Sequence, residues 1–166
     1  MSIRVGQGFD VHKFAQLGSS KSIRICGIDV PHEQALIAHS DGDVALHALC
    51  DALLGALGLG DIGTHFSDQD DEFADRDSRW FVEQVYTKIH SSGWVVMNAD
   101  ITIIGEKPKI VPYRQLMTDC VAQLLNVSLG QINIKATTTE QLGFCGRKEG
   151  LAAMAVVLVS AIGETQ

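Results

Sequence analysis

The chain has 166 residues, of which 46% are apolar and 20% charged, with a formal net charge of −7. A chain of this size and balance builds one domain with its own core, without disulfides or a structural metal, and is neither disordered nor collagen-like. Its 13 Lys and Arg are spread along an acidic chain, which leaves no basic face for nucleic acid.

Strand signals come first. Residues 3–8 are short and glycine-rich, and residues 22–26 set Ile23 and Ile25 around Arg24 with a period of two. The spacing then predicts a helix over 43–59. Ser40 and Asp41 suit its cap, Leu46, Leu49, Leu53, Leu54 and Leu57 form its apolar stripe, and Gly58 and Gly60 end it. Residues 61–77 read as an acidic loop carrying Asp68, Asp70, Asp71, Glu72, Asp75 and Asp77. A second helix over 78–90 turns Phe81, Val82, Val85 and Ile89 inward and stops at Gly93. Residues 94–104 form a strand. Pro112 opens a third helix with a stripe of Leu116, Cys120, Leu124 and Leu125. Residues 132–138 and 151–162 are the last strands.

The order β-β-α-α-β-α-β-β predicts a single α+β domain over 1–166, a sandwich of a mainly four-stranded mixed sheet with helices on one face. Three helices cannot cover both faces of the sheet, so the other face is expected to meet further copies of the chain. No apolar run reaches the ~18 residues that a membrane helix needs; the longest, 151–162, is interrupted by Ser160. The N-terminus carries neither a signal peptide nor a Ser- and Arg-rich transit leader, so a cytoplasmic, bacterial protein is expected. Cys26, Cys50, Cys120 and Cys145 are far apart without a Cys-x-x-Cys pair. They are expected to be reduced, mostly buried thiols, with a zinc–thiolate site as the minor alternative.

Four segments carry chemistry. In Asp10-Val11-His12 the two polar side chains leave the same side of an extended chain, and a carboxylate with an imidazole suits Zn²⁺. Alone the pair is as compatible with an ordinary surface pair. In His39-Ser40-Asp41-Gly42-Asp43 with His47, the residues Asp43, His47 and Asp51 share one helix face. His47 is a candidate third ligand, with Asp43 or Asp51 orienting its ring; the alternative is a capping segment and a surface histidine. An Asp-His-His set leaves a tetrahedral position open, as in catalytic zinc sites. Thr137-Thr138-Thr139-Glu140 offers hydroxyls to phosphate and a carboxylate to Mg²⁺, or is simply a Thr-rich strand end. Gly105-Glu106-Lys107-Pro108-Lys109 is a loop whose lysines suit a phosphate, or a solvated basic loop.

Taken together, the runs Gly8-Phe9-Asp10-Val11-His12, 39–47 (HSDGDVALH), 51–55, 60–63, 100–109 and 135–150 (KATTTEQLGFCGRKEG) resemble the 2-C-methyl-D-erythritol 2,4-cyclodiphosphate synthase family of the non-mevalonate isoprenoid pathway. The match is collinear over nearly the whole chain. It departs at Ser67 and Gln69, where Pro and Thr are common, and at Cys145, where Thr is common. The resemblance implies a homotrimer whose sheets pack around a threefold axis, with active sites between adjacent subunits. It implies Zn²⁺ on Asp10, His12 and His47, and Mg²⁺ or Mn²⁺ on Glu140 with the substrate phosphates. His39 and Thr138 are the implied catalytic groups, with Ser40 near the phosphates. Asp61, Ile62, Gly63, Phe66 and Asp68 match the methylerythritol pocket. Gly105, Pro108, Lys109 and Ile110 match the cytidine pocket, and Thr137 the phosphates. Phe144 is a further binding residue. Arg147, with Glu149, faces an axial cavity that accommodates an isoprenoid diphosphate in some members.

The implied reaction converts 4-diphosphocytidyl-2-C-methyl-D-erythritol 2-phosphate to the 2,4-cyclodiphosphate and CMP, by attack of the 2-phosphate on the β-phosphate. The attacking oxygen is already anionic, so the obstacles are phosphate repulsion and ring closure. Bound cations and a shaped pocket address both. The rival readings are a metal-dependent phosphoesterase, which would use the same zinc to activate water, and a trimeric isoprenoid-diphosphate binding protein.

Overall fold

The computed structural model describes residues 2–67, 71–73 and 76–163. Asp68, Gln69, Asp70 and Asp75 of the acidic loop lie outside the described residues. In chain order the elements are β1 (Ile3–Phe14), β2 (Ser22–Ile25), β3 (Ile28–Pro31), β4 (Leu36–Ile37), α1 (Val44–Ala56), α2 (Ile62–His65), α3 (Ser78–Ser91), β5 (Trp94–Ile104), α4 (Arg114–Leu124), β6 (Ile132–Thr137), α5 (Gly143–Gly146) and β7 (Gly150–Ala161). No helix among the described residues is long and apolar enough to cross a membrane.

The main sheet has five strands rather than four, in the order β4-β1-β7-β5-β6, and β2 and β3 form a separate hairpin. β7 is antiparallel to both neighbours, and β5 and β6 are parallel. β1 is longer than the glycine-rich start suggests. Its second half carries Asp10 and His12 on the inner face ahead of buried Phe14, while Phe9 and Val11 point the other way. Ile3, Val5, Phe9 and Val11 on β1, and Met154 and Val156 on β7, are between 40% and 64% exposed. The sheet thus has one face under helices, and a bare outer face that is apolar over β1 and β7 and polar over β5 and β6, where Asp100 meets Asn133 and Lys135.

The helix layer is set by a close approach. A Cβ on Gly6 would stand 1.8 Å from the Ala52 carbonyl oxygen, and one on Gly8 would stand 1.9 Å from that of Ala48. Only glycine lets the backbone of α1 lie this near to β1. The facing helix residues Ala48, Ala52 and Ala56 are small and recur every four. Two residues of strand advance about 6.7 Å and four of helix about 6 Å, so the two elements stay in step. Continuing that register by one step brings the first turns of α1 to Asp10.

Two helix details differ from the sequence reading. The N-cap of α1 is Asp43, whose side chain accepts the Leu46 N–H, rather than Ser40 or Asp41. The buried stripe of α4 is Met117, Val121 and Leu125 with Ala122, while Leu116 is 55% exposed. Of the expected stripe Leu125 is buried, while Leu116, Cys120 and Leu124 have the same spacing one residue before the buried row. The short 3₁₀ turn Val111–Tyr113 ahead of α4 sets the rotation.

Gly8→Ala is expected to destabilise the fold by about 1–3 kcal/mol or more through overpacking against a backbone that has nowhere to move. Urea unfolding checks it; a wild-type midpoint would refute the close-approach argument.

Candidate active site

The site begins at the cap of α1. Asp43 is fully buried, and its carboxylate accepts the N–H groups of Cys26 (2.9 Å), Gly27 (2.6 Å) and Leu46 (3.0 Å). Burial raises its carboxyl pKa, against the pull of those N–H bonds. Cys26 and Gly27 are the left-handed pair, with φ of 50° and 77°, that turns β2 into β3. One carboxylate therefore clamps the hairpin to the helix start, and Asp43 is spent on this clamp. It does not orient His47, and neither does Asp51, which accepts the Ile62 N–H at 2.8 Å.

His47, one turn into α1, meets the two polar residues of β1. Asp10 Oδ2 lies 3.0 Å from His47 Nδ1 and 3.1 Å from His12 Nε2, and the two ring nitrogens are 3.1 Å apart. Among the described residues this is the one cluster of three or more His, Cys, Asp or Glu with donor atoms so close. The side chains are 12–25% exposed. A tetrahedral zinc with ligand bonds near 2.1 Å has ligand–ligand edges of about 3.4 Å, so the triangle is a few tenths of an ångström tighter than a ligand face. Hydrogen bonds alone fill it poorly, because turning both N–H groups to Asp10 sets two like dipoles against each other. A divalent cation takes all three lone pairs, and the residues fit one. Burial alone would raise the Asp10 pKa, but the hydrogen bonds and charges of both imidazoles hold it well below the usual carboxylate range. Burial opposes charge on His47, but Asp10 outweighs it and raises the imidazole pKa.

The triad opens into a cavity of about 330 Å³ lined also by His39, Ser40, Ile62, Gly63, Phe66, Phe73 and Phe81. Phe66 packs edge-on or tilted against Phe73, Trp80 and Phe81, with ring centroids 5.1–5.6 Å apart. Asp61 caps α2, accepting the Thr64 N–H and hydroxyl at 2.8 Å each, and these bonds lower its pKa. On the side away from the triad, His47 Nε2 lies 3.0 Å from Ser40 Oγ and 2.9 Å from Ser78 Oγ. Asp68 lies outside the described residues. The sequence reading missed Ser78 and the aromatic wall beyond Phe66. Ser78 opens α3 beside its cap Asp77, and nothing local marks it as a neighbour of His47.

The remaining candidates form a second group. Because β5 and β6 are parallel, the chain leaves both at the same end, where Ile104 pairs with Thr137. The Gly105 N–H donates to the Thr137 carbonyl at 3.0 Å. Glu106 accepts the N–H groups of Thr139 and Gln141 at 3.3 and 3.2 Å. Those bonds tie the loop holding Pro108, Lys109 and Ile110 to the turn holding Thr138 and Glu140. The Thr138 hydroxyl donates to Glu140 at 2.9 Å. Exposed Phe144 lies on α5, and Arg147, just after it, pairs with Glu149 at 2.8 Å. Val11, Ala152, Ile104 and Thr137 form one row across the sheet. Three strand spacings separate the row's ends, about 14 Å. Within one chain Glu140 and Thr137 are therefore remote from the triad.

A mixed α+β layer that gathers Asp10, His12 and His47 into a cluster able to hold a metal ion, with a separate group of hydroxyls and loop amides, has the make-up of a metal-site enzyme fold. The sequence profile of the YgbB family matches residues 3–160. A 2-C-methyl-D-erythritol 2,4-cyclodiphosphate synthase of Vibrio cholerae is 57% identical over 157 residues, covering 95% of this chain and 98% of that one. The synthase of Pseudoalteromonas atlantica is 54% identical over 160 residues, covering 96% and 97%. An IspF structure from Plasmodium falciparum, a CDP complex, superposes with a TM-score of 0.85 at 32% identity, covering 98% of each chain. A bifunctional IspDF from Campylobacter jejuni superposes at 0.91 and 40% identity, covering 97% of this chain and 43% of that one. The chain belongs to the YgbB family, that of the 2-C-methyl-D-erythritol 2,4-cyclodiphosphate synthases.

Asp43→Asn replaces one acceptor oxygen with an N–H₂ facing a backbone donor. The expected loss is about 1–3 kcal/mol; equal stability in urea would show that the clamp is dispensable.

Proposed function

We propose that this protein cyclises 4-diphosphocytidyl-2-C-methyl-D-erythritol 2-phosphate to the 2,4-cyclodiphosphate with release of CMP. The observation that carries the reading is the Asp10–His12–His47 triangle opening into a cavity edged by His39 and Ser40, in a chain over 50% identical to named synthases. Two nitrogens, one carboxylate and an open fourth position favour zinc at the triad; Glu140, an exposed carboxylate beside Thr138, suits Mg²⁺ or Mn²⁺ with the substrate phosphates. When bound, these cations supply Lewis-acid polarisation and charge neutralisation at the diphosphate.

The chain's own groups then orient and shield. An oxygen of the 2-phosphate forms a bond to the β-phosphorus. The bond from that phosphorus to the bridging oxygen breaks, and CMP leaves with the electron pair. The nucleophile is anionic from the start, so no protein base is required. His39 and Thr138 hold the transferring phosphoryl group from two sides, and Ser40 and Thr137 donate to neighbouring oxygens. Gly105, Pro108, Lys109 and Ile110 read the cytosine edge and its phosphate. Asp61, Ile62, Gly63, Phe66 and Asp68 hold the methylerythritol unit, and the aromatic wall keeps water from the phosphorus. Holding attacker and target in contact is worth up to ~7–11 kcal/mol in favourable systems.

The two groups of residues lie at different strands of one chain, so each active site takes the triad from one copy and the Thr137–Glu140 group from its neighbour. The bare apolar face of β1 and β7 supports three copies packed around an axis. Phe144 and Arg147 then offer an apolar and a cationic group to an isoprenoid diphosphate on that axis.

³¹P NMR of the turnover in ¹⁸O-labelled water tests the reading. The expected products are CMP and coupled cyclic diphosphate signals without ¹⁸O. Labelled phosphate would instead make it a phosphoesterase, and no turnover from a folded, metal-loaded protein would leave a binding role. His47→Ala is expected to abolish both metal retention and turnover, read by metal analysis and the same assay.

A further inference from the structure

The two ring nitrogens of His47 face different neighbours. Nδ1 lies toward Asp10 and His12, at 3.0 and 3.1 Å, and Nε2 lies 2.9 Å from Ser78 Oγ. Which nitrogen carries the proton follows from the groups behind Ser78. Both oxygens of the Asp41 carboxylate face donors. Its Oδ1 accepts the Asp43 N–H at 3.1 Å and also the Ser78 hydroxyl, and its Oδ2 accepts the Ser78 N–H at 2.9 Å. A hydroxyl has one proton, and Ser78 gives it to Asp41. The Ser78 oxygen is then left to accept from His47 Nε2. The opposite arrangement, with Ser78 donating to the ring, would set two acceptor oxygens against each other at contact distance. Ser40 Oγ, 3.0 Å from the same nitrogen, accepts the Gly42 N–H at 3.3 Å and is also placed to accept from the ring.

We infer that Asp41 and Ser78 are positioning residues that hold His47 as the Nε2–H tautomer, with its Nδ1 lone pair aimed at the centre of the triad. Ser78 is fully buried, so water does not readily take the place of its hydroxyl. The Asp41 N–H also donates to the Arg76 carbonyl at 3.2 Å. The same residue therefore seats the start of α3 and the end of the preceding loop against the metal-binding segment. Asp41 and Ser78 are 37 positions apart, so the chain closes this relay only when α1 and α3 pack.

The inference rests on the triad holding a cation, and the test separates the two claims. Chelator-stripped protein is titrated with Zn²⁺ against a chromophoric chelator for the wild type, His47→Ala, Ser78→Ala, Asp41→Asn and the Ser78→Ala/Asp41→Asn double variant. Ser78→Ala is expected to bind zinc about 10–100-fold more weakly, measured on metal-free protein shown to be folded. The double variant should bind no more weakly than Ser78→Ala alone. Unchanged zinc affinity in Ser78→Ala, with affinity lost in His47→Ala, overturns the relay and leaves the triad standing. Zinc binding that is absent, or indifferent to His47→Ala, overturns both. Should the variants not fold, ¹⁵N NMR of the zinc-loaded wild type decides: a slowly exchanging proton on His47 Nε2 is expected, and a proton on Nδ1 overturns the inference.

Discussion

Everything in the site depends on how closely one helix lies on one strand. The Ala48 and Ala52 carbonyls of α1 occupy the space that side chains at Gly8 and Gly6 would fill. The strand and helix repeats then keep step, and the next inward residues of β1, Asp10 and His12, fall beside His47. A bulkier strand residue would lift α1 by the thickness of a methyl group or more. Donor atoms now 3.0–3.1 Å apart could then no longer share one cation. The site is thus a consequence of backbone packing before it is a matter of side-chain chemistry.

Two carboxylates hold that helix in place along its axis. Asp43 joins the helix start to the β2–β3 turn through three N–H bonds, and Asp41 joins the same segment to α3. Asp43 is fully buried and would be costly to bury alone, and both carboxylates take donors from distant parts of the chain. The loop entering α3 stacks its aromatic residues on the same cavity, so the walls and the metal ligands are referenced to a common pair of acids. The sheet performs the opposite task. Its strand order puts the hydroxyl and loop-amide group about 14 Å from the triad, and the exposed apolar residues of β1 and β7 are the surface proposed for association of copies.

Much of this was legible in the sequence, for physical reasons. The leucine stripe of α1 is unambiguous, because nearly every member is buried. The Asp-x-His pair and the run 39–47 name the triad and the cavity edge by residue type and spacing. What was hidden was either inverted or non-local. The sequence pattern ends β1 near Gly8, since the inner face continues with polar Asp10 and His12 while Phe9 and Val11 face outward. In α4 two stripes of equal spacing run side by side, and the 3₁₀ turn before the helix decides between them. The helix spacing offers Asp43 or Asp51 as a partner of His47, although the partners of Asp43 include Cys26 and Gly27, 17 and 16 residues away. Ser78 has no local signal at all. The separation of the two residue groups follows from strand order, which no local pattern encodes.

The central claim is that one active site is assembled from two chains, and subunit complementation tests it most directly. A His47→Ala chain and a Thr138→Ala chain, each inactive alone, are co-refolded in equal amounts and assayed for CMP release. Random mixing leaves about a quarter of sites with both halves intact if the halves come from different copies, so activity near that fraction of wild type is predicted. Activity no higher than that of either parent, in an assembly shown to contain both chains, would contradict the account and place the whole site within a single chain.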